Sequence, residues 1–133
     1  MTENDAITAF LAEQHFAVAG ASTNRTKYGN KVLRCYQQHD RAVVAVNPRA
    51  EEIEGALSYA TLGAIPGQPP ALSIITPPAI TEALIEDAAA AGIRHVWMQP
   101  GAESPLAVSR ARDLGMNVIA GGACLLVVLG FHE

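Results

Sequence analysis

The sequence predicts a single α/β domain: a doubly wound, parallel five-stranded sheet with helices on both faces. Three observations predict it. Short apolar runs recur along the chain, each ending on Gly, Pro or a small polar residue. Helix-period stretches of roughly ten residues alternate with those runs, which is the pattern of a parallel sheet joined by helical crossovers. Apolar residues make up 50% of the chain but aromatics only 5%, so Ala, Val, Ile and Leu carry a core suited to tight helix-on-sheet packing. At 133 residues the whole chain, 1–133, reads as one domain.

The elements follow in order. Asn4-Asp5 is expected to cap a first helix running to about His15. Phe16-Ala17-Val18-Ala19-Gly20 reads as a buried strand ending on glycine. A polar loop, 21–28, leads into a helix over 29–39 with Val32, Leu33, Cys35 and Tyr36 on its inner face. Ala42-Val43-Val44-Ala45-Val46 is the second strand, stopped by Asn47-Pro48. Residues 51–70 are broken by Gly55, Gly63, Pro66, Gly67, Pro69 and Pro70 and read as turns, with one helical turn near Leu62. Residues 71–75 form the third strand. The helix over 80–91 is capped by Thr81 or a neighbour and ended by Gly92. His95-Val96-Trp97-Met98 is the fourth strand. Ser104 as N-cap and Pro105 in the first turn open a helix that ends at Gly115. Residues 117–120 are the fifth strand. Right-handed crossovers make this a Rossmann-like arrangement.

Composition excludes several function classes. The formal net charge is -4 and no Lys/Arg block stands out, so neither nucleic acid nor a membrane surface is an expected partner. The longest apolar run, 123–129, is too short to cross a bilayer. Met1-Thr2-Glu3-Asn4-Asp5 lacks the features of a signal peptide, so the expected location is cytoplasmic. Cys35 and Cys124 are too few and too far apart for a disulfide framework or a zinc site.

In a doubly wound sheet, ligands bind at the carboxyl ends of the strands. The unusual residues of this chain lie there: Gly20-Ala21-Ser22, Asn47-Pro48-Arg49, Thr76-Pro77-Pro78, Gln99-Pro100-Gly101 and Gly121-Gly122. Gly20 allows a close backbone approach, and Ser22 and Thr23 offer hydroxyls. The helix starting near Tyr28-Gly29 presents free amides to a pyrophosphate, with Arg25 and Lys27 beside it. The loop is neither a G-x-G-x-x-G fingerprint nor a Walker A sequence. No acid stands at the second strand end, where NAD-binding domains hold the ribose. Arg49 stands there instead, suited to an extra ribose phosphate, which both coenzyme A and NADP carry.

No catalytic set is evident. His15, His39, His95 and His132 read as surface or structural residues, and neither H-E-x-x-H nor G-x-S-x-G occurs. Glu82, Glu86 and Asp87 read as the solvated face of one helix, Trp97 as core and Cys35 as packing. Cys124 lies on the ligand edge. A reactive thiol or a mixed disulfide with coenzyme A is conceivable there, but nothing signals an activated thiol and the inert reading is preferred.

These residues resemble the small stand-alone bacterial and archaeal CoA-binding proteins, related to the N-terminal CoA-binding domain of the succinyl-CoA synthetase alpha subunit. The resemblance rests on residues 18–22 with Tyr28-Gly29, on Val44-Ala45-Val46-Asn47-Pro48, and on Val96-Trp97-Met98-Gln99. It implies coenzyme A lying across the strand ends. Gly20, Ala21 and Ser22 would then face the diphosphate, flanked by Arg25, Lys27, Tyr28 and Gly29. Asn47 and Pro48 would border the adenosine; Ile75, Thr76 and Pro77 would line the next side; Gln99 and Gly101 would lie further along. The chain departs from the family in having Pro100-Gly101 after Gln99, where Leu-Gly is usual. It also lacks an Asp-Arg pair before Cys124.

The leading reading is therefore non-catalytic binding of coenzyme A or an acyl-CoA, regulatory or as a carrier. An NADP-linked redox or sensor domain and a ligand-free interaction subunit are the alternatives. Residues 125–131 suit either an oligomer contact or closure of the core, and a homodimer is a candidate state.

Overall fold

The computed structural model describes residues 2–133. Its sheet has seven strands: β1 (His15–Ala19), β2 (Ala42–Val46), β3 (Glu52–Ile53), β4 (Ala56–Tyr59), β5 (Ala71–Ile74), β6 (His95–Met98) and β7 (Asn117–Ile119). Their spatial order is β3-β4-β2-β1-β5-β6-β7. All pairings are parallel except β3 with β4. Without the antiparallel β3, the parallel strands run 3-2-1-4-5-6 in chain order, which is the Rossmann arrangement. The chain reverses direction between β1 and β5, so the switch point lies at their carboxyl ends.

The five expected strands are present and the sheet is wider than expected by two. The addition is a hairpin inside the stretch read as turns. Glu54 and Gly55 both have positive φ, 50° and 81°, which is a two-residue type I′ turn joining β3 to β4. The strands are only 2 and 4 residues long, too short for alternation to register against the surrounding breakers. The helical turn near Leu62 is there, as a 3-10 turn at Leu62–Ala64.

Each helix starts for an identifiable reason. α1 (Glu3–Leu11) is capped by Thr2, not by Asn4-Asp5, with Asp5 returning a bond to the Thr2 amide in a capping box. It ends four residues before His15, which belongs to β1. α2 (Tyr28–Gln38) has Lys27 at its N-cap and no side-chain cap. α3 (Pro78–Ala90) starts at its first-turn proline; Thr81 is buried inside it and is not its cap. α4 (Pro105–Asp113) is capped by Ser104 as expected, its hydroxyl accepting from the Ala107 amide.

Strand alternation divides the core into two layers. Phe16 and Val18 face α1 and α2, where they join Phe10, Val32, Leu33, Cys35, Tyr36 and Trp97. Ala17 and Ala19 face α3 and α4, with Leu72, Ile74, Ile85, Val96 and Met98. Phe10 meets Trp97 edge-on at 5.3 Å and Phe16 stacks on Tyr36 at 4.8 Å. The C-terminal helical turn, Leu126–Gly130, closes the first layer: Leu125 is buried and Leu126, Leu129 and Phe131 pack on that core, while Val127 faces out. No helix among the described residues is long and apolar enough to cross a membrane.

Candidate functional site at the strand ends

The turn from β1 into α2 is the best-defined part of the carboxyl edge. Gly20 has φ 91°, and a Cβ on it would stand 2.9 Å from the Ile75 carbonyl carbon and oxygen. Gly29 is tighter still: a Cβ there would lie 2.1 Å from the Gly20 carbonyl oxygen. The two glycines therefore touch. They let the first turn of α2 rest directly on the end of β1, beside the start of the loop after β5. The Rossmann fingerprint uses its glycines for the same purpose, although the spacing here is different.

That turn leaves α2 open at its amino end. The backbone amides of Tyr28, Gly29 and Asn30 find no acceptor among the described residues, whereas α1 and α4 have side-chain caps. No acidic residue sits in the first turn of α2. Free amides and the helix dipole together favour an anion there.

Buried polar side chains hold the loop before α2. Asn30 donates to the Ser22 carbonyl (2.9 Å) and to Glu54 Oε2 (3.2 Å). Arg34, also buried, donates from Nε to Asn30 Oδ1 (2.6 Å) and from Nη2 to the Arg25 carbonyl (2.9 Å). Within the loop, Ser22 Oγ accepts from the Asn24 amide and Asn24 Oδ1 from the Thr26 amide. The β3–β4 turn locks onto the same assembly. Glu54 pairs with Arg25, and its carbonyl accepts from Gln37 Nε2 at 2.9 Å. The Asn30 bond, chiefly, and then Arg25 hold the Glu54 carboxyl below the usual carboxylate range despite partial desolvation.

Asn47 ties the second strand end to the first. Its Nδ2 donates to the Ala21 carbonyl (3.0 Å) and its Oδ1 accepts from the Arg49 amide (2.8 Å). On the other side, Tyr28 Oη donates to Gln99 Oε1 (3.0 Å) and stands 2.7 Å from Cys124 Sγ. Leu125 N also donates to Gln99 Oε1 (2.9 Å). Burial, and then the contact with Cys124, raises the Tyr28 phenol well above its usual range, so it stays protonated at neutral pH.

The structure thus joins Gly20, Ala21, Ser22, Tyr28, Gly29, Asn47, Ile75 and Gln99 through direct contacts. Lys27, Pro48 and Arg49 are exposed on the two loops that Asn47 connects, and neither cation has an ion pair among the described residues. Arg25 is turned toward Glu54. Thr76 bonds Thr81 Oγ1 (2.7 Å) where α3 begins, next to exposed Pro77. Gly101 stands apart, its amide bonded to Glu103. Sequence reasoning missed Asn30, Arg34, Gln37 and Glu54. A signal existed for two of them: Asn30 and Arg34 are spaced i, i+4, which puts two polar residues on one face of α2 within hydrogen-bonding reach of each other. The edge is open, and depressions of the surface include one of about 340 Å³ lined by Arg25, Arg34 and Glu54. Another of about 340 Å³ lies away from it beside His15, Val44 and Ile65, and one of about 630 Å³ lies at the far end of the carboxyl edge, between α4 and Gly121.

The other predicted roles divide as follows. Trp97 is core, with Nε1 donating to the Ala123 carbonyl. Cys35 is buried, and burial chiefly pushes its thiol up to about 11. Glu86 pairs with Arg110 and Glu82 accepts from Ser104 Oγ, so these acids link α3 to α4. No group of three or more potential metal ligands occurs among the described residues.

Topology and switch-point loop together define a Rossmann-type α/β domain with an uncapped helix amino end after its first strand. Comparison with known proteins is more specific. The CoA binding domain family matches residues 14–130. The chain belongs to that family. Among solved structures, it is similar to a hypothetical protein from Pyrococcus horikoshii OT3, with 25% identity over 96% of this chain and 89% of that one and a TM-score of 0.87. It is also similar to a conserved hypothetical protein from Pyrococcus furiosus, with 31% identity over 87% and 99% of the two chains and a TM-score of 0.82. A third similarity is to the dinucleotide-forming acetyl-coenzyme A synthetase 1 of Ca. Korarchaeum cryptofilum. It has 28% identity over 79% of this chain but only 25% of the synthetase, with a TM-score of 0.69.

Proposed function

We propose that this chain binds coenzyme A or an acyl-CoA across its carboxyl strand ends without converting it, in a regulatory or carrier role. The observation that carries this reading is the uncapped amino end of α2, held on β1 by the contact between Gly29 and Gly20. Family membership supplies the ligand class. The residues present fit that class: the amides of Tyr28, Gly29 and Asn30 suit a diphosphate. In this reading Gly20, Ala21 and Ser22 face the diphosphate and Lys27 flanks it, with Arg25 joining after release from Glu54. Asn47 and Pro48 border the adenosine, and Arg49 receives the ribose phosphate. Ile75, Thr76 and Pro77 line the adjoining side, and Gln99 and Gly101 follow. Both polar atoms of the Asn47 side chain are engaged by backbone, and no carboxylate stands at the tip of the second strand to hold a ribose diol. That weighs against NAD.

Calorimetric titration of ligand-stripped protein tests the reading, with coenzyme A, dephospho-CoA and NADP run in parallel. Saturable coenzyme A binding, weakened by loss of the 3′-phosphate and by Arg49→Ala, is the expected result. Tighter NADP binding moves the protein to the redox class. Failure of all three overturns cofactor binding.

A further inference from the structure

Arg34 is 7% exposed, and a buried cation is normally matched by a carboxylate. Arg34 makes no ion pair among the described residues. Neutral groups hold it instead. Its Nε donates to Asn30 Oδ1 (2.6 Å), its Nη2 donates to the Arg25 carbonyl (2.9 Å), and the guanidinium lies over the Phe131 ring, 5.1 Å from the ring centre. Glu54 stands on the other side of the Asn30 amide, whose Nδ2 donates to Glu54 Oε2 (3.2 Å) and to the Ser22 carbonyl (2.9 Å). A guanidinium can only donate and a carbonyl can only accept, so this amide has one orientation. Glu54 is already paired with Arg25, and Glu133, the other acid lining the same depression, is paired with Lys31. Two guanidiniums thus share one carboxylate. Arg25 is the member free to turn: its side chain is 60% exposed against 20% for Glu54, whose backbone is also tied to Gln37.

We propose that Arg34 is a positioning residue for the ligand's diphosphate and acts through Glu54. When Arg25 leaves Glu54 for the diphosphate, Arg34 stays behind as the counter-charge of Glu54. This rests on the coenzyme A reading above, in which Arg25 joins the phosphates. The exchange is favourable only with Arg34 present. Without it, releasing Arg25 would leave a partly buried carboxylate uncompensated beside an incoming anion, and the two like charges would repel. With it, each anion keeps a cation. Arg34 cannot follow Arg25 to the ligand, because Asn30, the Arg25 carbonyl and Phe131 fix it in place. Its field on Glu54 is screened little by solvent, since the guanidinium is buried. It already contributes, after Asn30 and Arg25, to holding the Glu54 carboxyl below the usual carboxylate range.

Arg34→Gln removes the charge and keeps an amide donor; Glu54→Gln removes the carboxylate and keeps an acceptor for Asn30. Wild type, both single variants and the double variant would be titrated with coenzyme A, each after its fold is checked by circular dichroism. Arg34→Gln is expected to bind about tenfold more weakly, and Glu54→Gln at least as tightly as wild type. The double variant should return to within about threefold of wild type, because no carboxylate is then left to compensate. Residues that merely brace the loop would give the opposite, a double variant weaker than either single one. A double variant that stays outside that range, or a Glu54→Gln variant weaker than wild type, overturns the proposal. Should Arg34→Gln fail to fold, Arg34→Lys serves, since it keeps the charge and gives up the guanidinium fork. It is expected to bind within about threefold of wild type, and a greater loss overturns the proposal. Wild-type protein that binds no coenzyme A refutes the parent reading, and this proposal with it. Wild-type binding without the rescue refutes this proposal alone.

Discussion

Gly29→Ala tests whether the β1–α2 turn is a rigid cradle. The added methyl would sit 2.1 Å from the Gly20 carbonyl oxygen, 3.0 Å from its carbon and 3.2 Å from Ala21 Cα, all backbone atoms. Carbon and carbonyl oxygen in contact normally stand about 3.3 Å apart, so α2 would have to withdraw by about 1 Å. No flexible side chain can give way. That withdrawal would disturb Asn30 and Arg34, which are fixed to the loop by bonds of 2.6–2.9 Å. Overpacking of this kind costs about 1–3 kcal/mol, and the unyielding neighbours put this site at the upper end. Alanine recovers less than about 1 kcal/mol through helix propensity in a first turn. At roughly 4 °C per kcal/mol for a domain of this size, the melting temperature should fall by about 8–12 °C. Gly63→Ala is the control, because nothing lies within 4 Å of its added carbon. Thermal unfolding followed by circular dichroism measures both. A Gly29→Ala protein melting within about 3 °C of wild type would mean that the turn relaxes freely, and the rigid-cradle argument would fail.

Three further outcomes are expected. Tyr36→Phe leaves Ser73 Oγ buried without its 2.6 Å partner and should cost about 1–3 kcal/mol in urea unfolding, while adding Ser73→Ala should recover part of that loss; strict additivity would show that the pair is not coupled. Glu54→Gln should destabilise the protein at neutral pH and not in acid. The native Glu54 carboxyl is held below its unfolded value, so its contribution is present above the unfolded value and vanishes as pH falls through the lowered one; a stability gap independent of pH would contradict this. Cys35, buried and with its thiol near 11, should resist a thiol reagent at pH 8 in the native state, leaving partly exposed Cys124 as the residue labelled first; mass mapping of the adduct decides it.

Apolar runs made five of the six parallel strands legible, because a strand covered on both faces must be continuously hydrophobic. The Ser104 cap and the inner face of α2 were legible for equally local reasons. What escaped was encoded non-locally. In the β3–β4 hairpin β4 pairs with the distant β2 and only the two-residue β3 is at the edge, and Glu54 adopts a left-handed conformation supported by its tertiary partners Asn30, Gln37 and Arg25. Half the candidate site could be named from strand-end residues. Of its supports only the i, i+4 spacing of Asn30 and Arg34 was visible; the loop and hairpin groups that they and Glu54 bind lie 8 to 29 positions away.

The hairpin also bears on ligand choice. An acid at the tip of the second strand is the NAD-type solution for holding a ribose. Here Glu54 is on the hairpin turn and is engaged by Asn30 and Arg25. It serves to brace the anion loop and to neutralise one of its cations. Asn47 spends its amide bracing that loop from the opposite side. Glu54 and Asn47 are therefore engaged within the protein, whereas Lys27, Arg49 and the α2 amides have no partner among the described residues. On the coenzyme A reading, the exposed Lys27 and Arg49 and the free α2 amides would favour a phosphate-rich ligand over a bare ribose diol, and the comparison of coenzyme A with dephospho-CoA reads that preference directly.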